Sequence, residues 1–363
     1  MPVRSVGVEE EFLLVDPNSC APRAVASTVL RAADDLDGDL TNELHAEQLE
    51  TGTSPRTGLD EIGREIVDRR GEAATAARRA GVAAVPLATY PLPVDPHVND
   101  GPRYRAMLSR FGRTAAEQLT CGCHVHVGIS DADEGVAVLD RAGPWLATLL
   151  ALSANSPFWQ GRDSEYASFR YQVWGRWPSS GPTGPFGTSQ AYRETIEQMV
   201  GSGTLIDPGM VYFDARLSER YPTVEIRIAD VCLRAEDAVL VAALARALVE
   251  TEARSWREGK PASPARTELL RLGAWRASRS GLDDTLLHPV TGKPEPATTV
   301  VGMLLDHCRD ALSDTGDADT VAGLLTDLLA RGNGASFQRS AYRRSGRLPE
   351  VISSAVEVTG LAG

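Results

Sequence analysis

Three short stretches of the chain alternate apolar and polar positions with strand periodicity, and most of the remainder follows a helical period. Gly7 to Val15 reads G-V-E-E-E-F-L-L-V, rich in Val, Leu and Phe, and predicts a strand whose side chains alternate between faces. Parity splits its three acids. Glu9 and Glu11 share one face, while Glu10 lies opposite with Val8, Phe12 and Leu14. Two carboxylates on one side stand about 6.5 to 7 Å apart along a strand. Such a pair suits a cation held by hard oxygen ligands, and equally an edge strand that uses acids to resist aggregation.

The second stretch, Cys121-Gly-Cys-His-Val-His-Val-Gly128, places His124 and His126 on one face with Val125 and Val127 opposite. Cys121 and Cys123 fall on the face away from the histidines, so a zinc site using all four would require a bulge. In the third, Thr223 to Asp230, Val224, Ile226 and Ile228 form an apolar face opposite Glu225 and Arg227. Each stretch thus has one polar and one apolar face. Together they predict an antiparallel sheet with helices on the apolar side and an open cleft on the other.

Between and after these strands the helical period predicts a helix from Thr57 to Ala80, with Thr57 and Asp60 as an N-terminal capping pair and Gly81 as the stop. Further helices are predicted from about Pro102 to Leu119, over Asp131 to Ser153 with Pro144 as a point of division, and over Ser189 to Val200. From about residue 235 the chain turns helix-rich: Ala235 to Trp256, Pro264 to Ser280, Thr298 to Ser313 and Asp319 to Arg331. Val82 to Ala88 reads as a short buried strand. Glu43-Leu-His-Ala-Glu47-Gln-Leu-Glu50 is open to two readings. As a helix it shows Glu43, Glu47 and Glu50 on one solvated stripe. If its second half is a strand, Gln48 and Glu50 share a face and Glu43 needs a bend to join them. Residues 153 to 187 are rich in Gly, Pro, Ser and aromatics and carry Arg162, Arg170 and Arg176. Three tryptophans there argue for an ordered cover over a site, with arginines for carboxylate or phosphate groups.

Composition narrows the function. The 363 residues are 42% hydrophobic and 24% charged, with a formal net charge of -12. No basic run appears, which argues against a nucleic-acid partner. No unbroken apolar run of membrane-spanning length and no leader pattern is visible, so a cytoplasmic protein without a membrane partner is expected. Five scattered cysteines fit a reducing compartment better than a disulfide framework. No repeat or low-complexity linker divides residues 1–363, and one large domain is expected, alone or as a homo-oligomer.

The blocks G-V-E-E-E-F, E-L-H-A-E-Q-L-E-T-G-T, C-H-V-H-V-G, S-A-N-S-P-F-W-Q-G-R-D and T-V-E-I-R-I-A-D, in this order and spacing, resemble the bacterial carboxylate-amine ligase family, the type 2 glutamate–cysteine ligase-like proteins. The resemblance covers nearly the whole chain. It implies an α+β, glutamine synthetase-like catalytic fold: a curved antiparallel sheet with helices on its convex face. It implies ATP and Mg2+, with Mn2+ as an alternative ion, and small amino-acid substrates. Glu9, Glu11, Glu43, Glu50, His124 and Glu225 match the family's metal-facing positions. Arg227 matches a basic residue that would meet phosphate, and Arg170 an arginine of the cover that would meet substrate or nucleotide. Gly334 fits a C-terminal glycine turn at the nucleotide. The implied activity joins a carboxylate to an amine through an acyl phosphate, with glutamate and cysteine as the default pair. A catalytically silent nucleotide- or amino-acid-binding protein of the same fold is the alternative. A zinc hydrolase using Cys121, Cys123, His124 and His126 would predict stoichiometric zinc.

Overall fold

The computed structural model describes residues 3–36 and 40–358. Seven strands form one antiparallel sheet: β1 (Val6–Val15), β2 (Leu40–Asn42), β3 (Gln48–Gly52), β4 (Ala83–Val85), β5 (Cys123–Gly128), β6 (Ala215–Leu217) and β7 (Thr223–Ile226). Their order is β2-β3-β1-β5-β7-β6, and β4 pairs with the C-terminal end of β1 beyond the point where β5 stops. The path is open at both ends, so the sheet does not close into a barrel. The fold is mixed helix and antiparallel sheet, as the alternation of polar and apolar positions predicts.

The apolar face is covered by α1 (Leu59–Arg79), α2 (Ala132–Ser153) and α4 (Ala235–Arg257), while α3 (Phe169–Trp174) stands on the cleft side. Val6, Val8, Val125, Val127, Val224 and Ile226 pack against Leu146, Leu149 and Leu150 of α2 and Leu240, Val241 and Leu244 of α4. Burying these aliphatic side chains contributes about 1.5 to 3 kcal/mol each and fixes which face the acids take. α2 is long and apolar enough to cross a membrane, with a mean hydropathy of 1.3, yet 72% of that stretch is buried within the protein, as a central core helix requires. Pro144 lies inside α2 without dividing it.

Glu10 points to the apolar side and is held there by Arg70 of α1. The guanidinium donates to both Glu10 carboxylate oxygens, at 2.6 and 2.9 Å, and to the carbonyls of Cys232 and Leu233. Both partners are buried, so the pair ties β1 to α1 and to the chain just beyond β7.

Several expected boundaries move. Thr57 does not cap α1; the N-cap is Gly58, and no side chain accepts a bond there. The helix expected over 102–119 breaks at Gly112, whose φ of 53° only glycine adopts readily, into Pro102–Phe111 and Arg113–Ala116. The helix expected over 298–313 divides at Cys308. Of the 43–50 segment, the strand reading holds: β3 starts at Gln48, and Glu43 reaches the same face through the turn that joins β2 to β3. The 153–187 segment is ordered, with a two-stranded hairpin at Phe158–Trp159 and Arg162–Asp163 followed by α3.

Candidate active site

Strand register builds the site. Glu11 pairs across β3 with Glu50, and Glu9 across β5 with His124. His126 in turn faces Glu225 on β7, which faces Arg216 on β6. Directly opposed residues share a face, so these three staggered rows bring acids, imidazoles and a guanidinium from five strands into one cleft. The cleft holds about 350 Å3 and is also lined by Glu43, Thr41, Gln48, Arg103, Tyr104, Trp174, Trp177, Tyr212 and Arg227.

Two groups of side chains lie close enough to share an ion: Glu9, His124 and Glu225, and Glu11, Glu50 and His124. Within each group the ligand atoms lie within 4.8 Å of one another. His124 belongs to both, and its Nε2 is buried without a hydrogen-bond partner. Its Nδ1 lies 3.5 Å from Glu9, and Nε2 of His126 lies 3.3 Å from the other Glu9 oxygen. Burial, reinforced by the charge of Arg227, lowers the pKa of His124 to about 4, which leaves a neutral imidazole at neutral pH, the form a metal ion takes.

The carboxylates divide into two electrostatic states. Burial and then Glu50 raise Glu11 to about 7, although Arg170 and the N–H of Gly122, which donates to Glu11 Oε2 at 2.6 Å, act in the opposite sense. Burial and then Glu11 raise Glu43 to about 7, and burial with Glu43 and Glu9 raises Glu50 well above its usual range. Burial also raises Glu225, but Arg227 and Arg216 outweigh it and hold that carboxylate low; Arg216 Nε donates at 2.7 Å and Arg227 pairs directly. Three neighbouring acids that resist ionising together, beside a neutral imidazole whose Nε2 has no partner among the described residues, fit a divalent cation.

The cleft brings together Glu9, Glu11, Glu43, Glu50, His124, Glu225 and Arg227. Two expected contacts fall elsewhere. Gly334 does not line the cleft; it stands at the N-terminus of helix α5 (Gly334–Ser345), where an added Cβ would stand 2.1 Å from Asn155 Oδ1, a close-packing position. Arg170 is 1% exposed and does not line the cleft. It backs the floor, with Nη1 3.9 Å from Asp230, which also accepts from Ser156 and Ser168. Arg170 reaches this place because residue 122 is glycine, whose Cβ would meet Nη2 at 2.3 Å.

Other cleft residues carried no readable signal. Arg216 emerges only through its register with Glu225, and Arg103, Tyr104 and Tyr212 arrive from segments distant in sequence. Glu47 is structural: it accepts from the N–H and Nδ1 of His97 and ties down the loop at 97. Cys121 and Cys123 are buried on the far side of the histidines, and no cysteine joins a metal-binding group among the described residues, which removes the basis for the zinc reading.

The fold is one that solved ligase structures share. Over 99% of its length the chain superposes on 88% of the glutamate–cysteine ligase of Francisella tularensis, solved in complex with AMP, with a TM-score of 0.73 at 13% identity. It also superposes on 52% of the bifunctional glutathione synthetase of Pasteurella multocida, with a TM-score of 0.70 at 17% identity and 98% of this chain covered. The profile of glutamate–cysteine ligase family 2 (GCS2) matches residues 5–357, and the chain belongs to that family. A Streptomyces avermitilis protein named "Putative glutamate--cysteine ligase 2-1" is 52% identical over 98% of this chain and 99% of its own length. A Streptomyces coelicolor relative is 51% identical over 99% and 100%.

Proposed function

We propose that this protein is an ATP-dependent carboxylate-amine ligase, with glutamate and cysteine as the first substrate pair to test. The observation that carries this reading is the pair of ligand groups that share His124 on one sheet face, next to the Arg227 guanidinium that lines the same cleft. Glu9, His124 and Glu225 would hold one Mg2+ or Mn2+ ion, and Glu11, Glu50 and His124 a second, with Glu43 alongside. Bound there, the ions would offset the negative charge of the nucleotide's phosphates.

A carboxylate is a poor electrophile. In the proposed reaction a substrate carboxylate oxygen attacks the γ-phosphorus of ATP, ADP leaves, and an acyl phosphate forms. The amine nitrogen then attacks the carbonyl carbon, the carbon–oxygen bond to phosphate breaks, and the nitrogen gives up its proton as the amide forms. The chain's own contribution is charge and position. Arg227 and Arg216, fixed by Glu225, present positive charge to oxygens that gain negative charge, and strand register holds Glu11 opposite Glu50. No covalent intermediate on the protein is needed.

ADP release measured over a panel of carboxylate and amine pairs with Mg2+ tests the proposal. Turnover with one pair well above the others is expected. ATP binding by calorimetry with no turnover for any pair would instead establish a silent binding protein.

A further inference from the structure

Trp174 has a position that ordinary packing does not require. It closes α3, four residues after Arg170, so the two side chains lie on one face of the helix. The Arg170 guanidinium sits 5.6 Å from the centre of the Trp174 ring. The guanidinium of Arg227, which comes from the strand side of the cleft, sits 5.7 Å from the same centre. Two buried cations therefore share one indole. Both Nε atoms are buried and make no hydrogen bond among the described residues.

The surroundings leave this arrangement little freedom. Asp230 and the missing side chain of Gly122 fix Arg170 from behind. Tyr212 braces the indole at 4.7 Å between ring centres, and Trp177 braces Tyr212 in turn at 5.3 Å. Trp174 itself is only half-buried and lines the cleft. The negative face of an aromatic ring attracts guanidinium groups, and here it lets two of them stand together where they would otherwise repel.

We propose that Trp174 is a positioning residue: by stacking on Arg170 and Arg227 it holds the Arg227 guanidinium, tied to Glu225 through Nη1, at the cleft wall where it can meet an anionic oxygen. The inference rests on the reading that the cleft takes nucleotide phosphates. It assigns Trp174 to the phosphates and not to the base.

Titration calorimetry with Mg2+ present, using ATP and inorganic tripolyphosphate as separate ligands, tests it. Tripolyphosphate carries the phosphate chain and lacks the base and the sugar. Trp174→Leu is expected to weaken both ligands by a similar factor, about tenfold, while Trp174→Phe, which keeps an aromatic face, stays within about threefold of the parent for both. If Trp174→Leu does not give a cooperative melt, Trp174→Met fills the space without a π face and takes its place. Loss of affinity for ATP alone would show that the indole contacts the base, and would overturn the proposal. So would unchanged affinity for both ligands. A parent protein that binds neither ligand would instead remove the phosphate reading on which the proposal rests.

Discussion

Glu10 and its two neighbours stand on opposite faces of β1 and meet opposite electrostatic environments. On the helix side Glu10 is closed off with Arg70, and every Arg70 contact is with protein: two carboxylate oxygens and two carbonyls. On the cleft side Glu9 and Glu11 face imidazoles and a third carboxylate, and the nearest guanidiniums are engaged with other groups or kept behind the floor. One face is electrostatically complete; on the other, Arg103, Arg216 and Arg227 are engaged with Asp207 and Glu225, and Glu11, Glu43 and Glu50 have no ion-pair partner among the described residues. The same residue type on the same strand thus serves stability on one side and leaves a site for a cation on the other. The difference lies in what the neighbouring strands and helices bring.

Exchanging the two roles by mutation gives the strongest test. Glu11→Gln removes a metal-facing charge with almost no change of shape. ATP turnover should fall by at least about a thousandfold, while the melting temperature of metal-free protein holds or rises, since a strained buried carboxylate is gone. Glu10→Gln should do the reverse. It leaves the Arg70 charge buried without its partner and should cost about 3 to 5 kcal/mol in denaturant unfolding, with ADP release per folded molecule unchanged. Equal activity losses in the two variants would contradict the division of the strand.

pH offers a second way to separate the faces. Glu11 and Glu43 rise from an ordinary 4.5 to about 7 in the folded protein. A carboxyl whose folded pKa is raised keeps its proton longer in the native state, so its stability contribution is present at low pH and is lost as pH climbs from about 4.5 to about 7. Each such shift corresponds to roughly 3 kcal/mol at most. The melting temperature of metal-free protein should therefore fall across this window. Mg2+ at pH 8 should restore it, because a bound cation favours the ionised acids and stabilises the folded state by mass action. Asp214, raised to about 7 by burial, lies outside the cleft and adds a component that Mg2+ does not reverse; Asp214→Asn should remove that component alone. A melting temperature that is flat with pH and indifferent to Mg2+ would contradict the charge state assigned to the cleft.

Parity along a strand is a local property, which is why the split between Glu9, Glu11 and Glu10 and the polar face at Glu225 and Arg227 are legible in the sequence. Convergence is not local. That Glu50 stands opposite Glu11, and Arg216 opposite Glu225, follows from register between segments far apart in the chain, and register is set by the whole apolar face. The acids at Glu43 and Glu50 were therefore consistent with a solvated helix stripe until β2 and β3 paired. The long helices were legible from their period, whereas their ends at Gly58, Gly112 and Cys308 depended on backbone geometry that the period does not carry. The resemblance to a family supplied the set of acids, but it could not tell that Arg170 lies behind the floor, a placement that depends on Gly122 and Asp230.

Gly334 gives the smallest effect and the closest test of what belongs to the cleft. A methyl group at this position would stand 2.1 Å from Asn155 Oδ1 and 2.8 Å from Asn155 Cβ. Asn155 cannot easily move aside, because its Nδ2 donates to the carbonyls of Pro86 and Val231 and its oxygen accepts from Gln338. Gly334→Ala should thus lower stability by about 1 to 3 kcal/mol through overpacking, and the KM for ATP should stay within about twofold. A rise in KM with stability preserved would return Gly334 to the nucleotide site and show that the glycine turn reaches further than its packing against Asn155. Loss of stability with KM preserved would confine the binding determinants to the polar face of the sheet and the aromatic wall, where the unpaired charge lies.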